Sequence, residues 1–109
     1  MSLKLPNPVA SYLAAEKAKD ADLLAESFAD NAWVHDEGHI HRGREAIRSW
    51  KREADTKYQY VMEPLEASVG DKVVKLRARL TGNFPGSPVE LDHTFTFEDE
   101  KITSLEIKP

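Results

Sequence analysis

Three residues of this chain stand out for the chemistry their positions allow: His93, Asp36 and Tyr12. His93 lies in an alternating run, on the same side as Leu91 and Phe95. A polar ring on an apolar face must find a hydrogen-bond partner or line a cavity. It is therefore either a core histidine bonded to a backbone carbonyl or to Tyr12, or a donor and proton carrier whose pKa burial can move. Asp36 shares parity with Val34, so a buried Val34 turns Asp36 inward, where lost solvation raises a carboxyl pKa as a general base requires. In the other reading it is a solvated member of the Asp36-Glu37-Gly38 turn. Tyr12 recurs with Val9 and Leu13 at helical spacing and faces inward, as a core aromatic or as a donor.

The remaining polar groups point to less. His35, His39 and His41 crowd one segment, and the spacing of His39, His41 and Glu45 loosely resembles the metal motif of cupins. Glu45 falls in a helix, however, and only His93 is left to complete the set, so no metal and no cofactor is expected. The basic run Arg42, Arg44, Arg48, Lys51, Arg52 reads as a solvated helix face opposite Trp50. Fifteen Lys+Arg against nineteen Asp+Glu give a net charge of −4. That balance argues against nucleic acid and anionic membranes as partners. The absence of cysteine removes disulfides, thiolate catalysis and Cys-based zinc sites. No apolar run approaches the ~20 residues of a membrane span. The first residues lack a signal peptide's hydrophobic block, and a cytoplasmic protein is expected.

The elements that must position these groups divide the chain into a helical half and a strand-rich half, within one domain of 109 residues, 1–109. Asn7-Pro8 opens a first helix. Asp20 caps a second, through about Phe28, with Leu23, Leu24 and Phe28 as its apolar stripe. Ala32 to Asp36 is a short strand, and Gly43 precedes a third helix, roughly Arg44 to Ala54. Beyond Asp55 the period becomes alternating. Tyr58 to Val69 is a strand in which Pro64 demands a bulge or an edge position. Its inward face is open between Tyr58/Tyr60/Met62 and Val61/Leu65/Ala67. Gly70-Asp71 turns into a strand burying Val74, Leu76, Ala78 and Leu80. Phe84-Pro85-Gly86-Ser87 suits a type II turn. Strands over 89–98 and 101–108 follow, the last with Leu105 and Ile107 inward. The expectation is an α+β domain, three helices packed on one face of an antiparallel sheet of about four strands.

Four segments carry a family likeness: Tyr12-Leu13-Ala14-Ala15, Phe28-Ala29-Asp30-Asn31-Ala32-Trp33-Val34-His35-Asp36, Arg42-Gly43-Arg44-Glu45-Ala46-Ile47 and Leu91-Asp92-His93-Thr94-Phe95-Thr96-Phe97. Together they resemble the SnoaL-like branch of the nuclear transport factor 2-like superfamily, which includes ketosteroid isomerases and polyketide cyclases. The likeness implies a cystatin-like cone: a curved sheet wrapped by three helices around an apolar pocket, commonly in a homodimer formed through the sheet. It does not imply one reaction. Tyr12 matches the isomerase tyrosine that donates to the substrate oxyanion, and Asp36 the aspartate that moves the proton. His93 takes the position of the third isomerase residue, a protonated aspartate; ketosteroid isomerase is itself the reference case of such a neutral acid. If the protein is an enzyme, the expected chemistry is cofactor-independent proton transfer next to a carbonyl, as in isomerisation, cyclisation or dehydration. Asp36 would be its base, Tyr12 and His93 its donors, with Phe28, Val34, Ile47, Trp50, Leu76, Ala78 and Phe95 lining a pocket for a small apolar molecule. The alternative is a noncatalytic module that binds such a ligand or a partner subunit.

Overall fold

A computed structural model of the protein describes residues 4–109. Helix α1 spans Asn7–Ala18. Pro6 takes the capping position and Asn7 makes no side-chain cap, so the helix starts one residue earlier than the Asn7-Pro8 pair suggests. It ends at Lys19, in the left-handed region at φ 56°. Helix α2, Ala21–Glu26, is capped as expected: Asp20 Oδ1 accepts from the Leu23 N–H at 3.0 Å.

Phe28 does not close α2 but opens strand β1, Phe28–Asp36. The reason is long-range pairing: Phe28 is in register with Ile102, and the Ile102 N–H donates to the Ser27 carbonyl at 2.9 Å. Glu37 and Gly38, both at positive φ, turn β1 into β2, His39–Arg42. That is the backbone a two-residue hairpin requires. Helix α3 then runs Arg44–Lys57, followed by β3, Tyr60–Val69, β4, Val73–Gly82, β5, Val89–Glu98, and β6, Lys101–Lys108.

The sheet has six strands rather than about four, ordered β2-β1-β6-β5-β4-β3. All neighbours are antiparallel except β1 and β6, which run parallel. The strand latest in the chain therefore lies inside the sheet. Register shifts in β1/β6, β3/β4 and β5/β6 bend the strands, giving the sheet its curve around the helices. Pro64 satisfies both of its options, since β3 is an edge strand and its register slips between Pro64 and Glu66. The slip also resolves the inward face. Tyr60 and Met62 turn in before it, Leu65 and Ala67 after it. Phe84 to Ser87 forms the expected turn, with Gly86 at φ 87° and the Ser87 N–H returning to the Phe84 carbonyl. The core, including Val9, Leu24, Phe28, Ile47, Phe95 and Leu105, fills the space between helices and sheet. Among the described residues, no helix is long and apolar enough to cross a membrane.

Candidate functional site

Asp36 ends β1 on the side of Ala32 and Val34, which are 1% and 0% exposed, so its carboxylate faces the helices. There Trp50 of α3 donates its Nε1–H to Asp36 Oδ2 at 3.1 Å. Burial raises the Asp36 pKa above the ordinary carboxylate value; the Trp50 hydrogen bond and the nearby His41 and His35 offset this only in part, and Glu37 adds to it. A neutral N–H orients the carboxylate without supplying a positive charge to hold it ionised.

The register brings His93 onto the same row. Asp36 falls one step beyond the His35–Glu106 pair, beside Ile107, and Ile107 pairs with His93 on β5. Two strand spacings, roughly 10 Å, separate the two backbones, and both side chains project from the face that the helices cover. His93 is 2% exposed, and its ring stacks against Phe95 at a centroid distance of 6.3 Å. Its Nδ1 has no hydrogen-bond partner among the described residues. Burial pushes its pKa down to about 4, against the pull of the Leu91 carbonyl and of the Glu16 and Asp92 carboxylates. The ring is therefore neutral near pH 7, with one donor and one acceptor nitrogen.

Tyr12 of α1 wedges between Phe28 and Phe95, edge to face, with centroids 6.0 and 5.0 Å away. Burial holds its phenol pKa well above the ordinary value, reinforced by Glu16, Tyr60, Asp36 and Asp55. Asp36 and Glu16 both act on Tyr12, and Glu16 also acts on His93. Tyr12 and His93 share a region against Phe95, and Asp36 lies on the His93 row two strands away, on the same helix-covered side of the sheet. Around them Phe28, Val34, Ile47, Leu76, Ala78 and Phe95 are 0% exposed, while Trp50 is half-buried. Surface grooves of about 510 and 470 Å³ lie elsewhere, the first beside Lys19, Asp22, Arg52 and Asp55, the second beside Pro6, Lys72 and Phe97.

A second polar group borders the region and is absent from the sequence reading. Lys51, expected on a solvated helix face, is 1% exposed. It lies only about 100° around α3 from Trp50, which carries it to the buried side. Its Nζ contacts Glu16 Oε2 at 2.5 Å, Asp55 Oδ1 at 2.6 Å and the Tyr60 hydroxyl at 2.9 Å. Lys19 Nζ lies 3.2 Å from Glu16 Oε1 and 3.7 Å over the Tyr60 ring centroid. Burial works to raise the Glu16 pKa, but the charges and hydrogen bonds of Lys51 and Lys19 outweigh it, and the net shift is downward. The available signal was the four-residue spacing of Tyr12 and Glu16, and of Lys51 and Asp55, which puts each pair on one helix face.

The histidine-rich segment divides between the two faces of the sheet. His35 Nδ1 meets Glu106 Oε2 at 3.4 Å, whereas the His41 ring lies against Trp50 with centroids 6.0 Å apart. Among the described residues, no group of three or more His, Asp or Glu is arranged to hold a metal ion.

Fold and interior together define a class. The chain belongs to the SnoaL-like domain family, whose model matches residues 9–105. It is 44% identical to a candidate polyketide cyclase from Sinorhizobium meliloti, with TM-score 0.92 and 95% of each chain covered. A protein of ketosteroid isomerase-like fold from Catenulispora acidiphila, solved with trimethylamine, is 23% identical, with TM-score 0.84 over 97% of this chain and 87% of that one. SalBIII, an epoxide hydrolase/cyclase-like enzyme of pyran ring formation in salinomycin, is 22% identical, with TM-score 0.80 over 93% and 86%. These last two likenesses show the fold alone. No curated protein matches the chain.

Proposed function

We propose that this SnoaL-like protein takes a small apolar carbonyl compound and moves a proton next to the carbonyl, as isomerases, cyclases and dehydratases do. Asp36 is the base, and Tyr12 and His93 donate hydrogen bonds to the enolate oxygen. The observation that carries this reading is the setting of Asp36: a half-buried carboxylate with a raised pKa, held by a neutral indole N–H, on the row that also holds His93. The 44% identity to a candidate polyketide cyclase supports the same class of substrate. Asp36 and Trp50 are half-buried whereas Tyr12 and His93 are buried, so a ligand enters from the Asp36 end.

The test needs no knowledge of the natural substrate. A panel of small enolisable ketones is incubated with the protein in D₂O, and deuterium uptake at the carbon next to the carbonyl is followed by NMR. The protein accelerates uptake for at least one, and Asp36→Asn lowers that rate by about 10²–10⁴-fold with the fold retained. An Asp36→Asn rate equal to wild type removes Asp36 from the mechanism.

A second reading has its own observation: Phe28, Phe95 and Tyr12 interlock edge to face and fill the interior. Under it the protein is a noncatalytic binding or dimerisation module. A second copy then meets the outer sheet face, where Val61 and Val73 are 70% and 41% exposed beside the Arg79–Glu63 and Arg79–Glu90 pairs. Saturable ketone binding without deuterium uptake, together with a dimeric mass by light scattering, favours it.

A further inference from the structure

Two carboxylates border the interior, and consecutive residues of α3 hold them. Trp50 gives Asp36 an uncharged N–H at 3.1 Å. Lys51 gives Glu16 a full positive charge at 2.5 Å, seconded by Lys19 at 3.2 Å. Glu16 is one helical turn from Tyr12 and more deeply buried than Asp36, being 5% exposed. Buried alone, a carboxylate so placed would take up a proton more readily than Asp36. The groups facing it are Tyr12 from α1 and Lys19 from the cap that ends it, Lys51 and Asp55 from α3, Tyr60 from β3 and His93 from β5. Of these, only the two lysines are cations near pH 7, and only Lys51 is buried with it. Facing Asp36 are Trp50 from α3, His41 from β2, and His35 and Glu37 from β1 and its turn; its charge also acts on Tyr12 of α1.

We propose that Lys51 is a positioning residue of the site: its ammonium keeps Glu16 ionised and out of proton transfer, which leaves Asp36 as the carboxylate that carries the proton. The inference rests on the reading of Asp36 given above. It adds what that reading lacks, a reason why one interior acid and not the other does the work. It also gives the cluster a role in the site, since a fixed anion beside Tyr12 would oppose a developing enolate unless a cation balanced it.

The experiment is a carboxyl ¹³C NMR titration of Glu16 and Asp36 in the intact protein. In wild type Asp36 titrates above Glu16. In Lys51→Met the order inverts, Glu16 gaining roughly a hundredfold in proton affinity while Asp36 moves little. Lys51→Arg, which preserves the charge, restores the wild-type order; a purely steric role for Lys51 would not be rescued in this way. If Lys51→Met does not fold, Lys51→Gln takes its place, which removes the charge while keeping a polar side chain for Glu16 and Asp55, and it raises the proton affinity of Glu16 in the same direction. An unchanged Glu16 titration in whichever variant folds overturns the proposal while sparing Asp36. An Asp36 that titrates at or below Glu16 in wild type overturns the reading of Asp36, and the proposal with it.

Discussion

His93 is a buried ring kept neutral, and acid tests that state. Its pKa falls from 6.5 in the unfolded chain to about 4 in the fold, so between those values the unfolded chain binds the extra proton. The stability that the neutral ring contributes is complete above about pH 6.5 and is lost as pH falls toward 4, a total of about 3 kcal/mol. Asp36 works in the opposite sense: its raised pKa means that stability declines as pH rises through its folded value. The difference between wild type and a variant therefore isolates His93 better than the raw slope. His93→Leu, followed by urea unfolding at pH 7 and pH 5, should lose less stability on acidification than wild type. It should also be no less stable at pH 5, because removing an unpartnered buried nitrogen relieves a cost of about 1–3 kcal/mol. Equal acid sensitivity in the two proteins would show that His93 does not govern it.

Alternation along β4 and β5 was readable from the residues, because Leu76, Ala78, His93 and Phe95 each sit on a regular two-residue period that any local pairing preserves. The same holds for Pro64, whose missing N–H restricts it to an edge or a bulge wherever the strand lies. What could not be read were features set by a distant partner. Phe28 satisfies a helical stripe on α2, yet its pairing with Ile102 makes it the first residue of β1. The four residues of β2 are a strand only because β1 lies beside them. Lys51 looks like part of a solvated face until Glu16, thirty-five positions earlier, is brought against it. Tyr12, Asp36 and His93 announced themselves because each is a polar group on an apolar period; Glu16 and Lys51 lie on charged, mixed stretches and did not. The junction of β3 and β4 gives the element-scale test. A Cβ on Gly82 would stand 2.2 Å from the Gln59 carbonyl oxygen and 2.7 Å from the Tyr60 Cβ. Gly82→Ala must push the start of β3 away and loosen Tyr60 from Lys51, at a cost of about 1–3 kcal/mol. A lower urea midpoint with unchanged m-value is the expected result, and an unaltered midpoint would mean that β3 moves freely there.

At the scale of the whole molecule, the sheet order decides how the protein comes apart. Strand β6 joins the β2-β1 ladder to the β5-β4-β3 ladder, and its removal leaves the two with no shared strand. A chain ended at Glu100 retains three helices and five strand sequences, but the core loses Ile102 and Leu105, both 0% exposed. Such a chain should show no cooperative unfolding transition by circular dichroism and no dispersed amide spectrum. A cooperative melt would mean that the helices alone align the two ladders.

The same placement has a consequence for biosynthesis. The segment that completes the structure leaves the ribosome after every other strand, and at about 5–20 residues per second β1 waits several seconds for its parallel neighbour. Through that interval the nascent chain presents two unfinished apolar ladders to the cell. Expression yield should therefore depend more on elongation speed and chaperone supply than equilibrium stability alone would indicate.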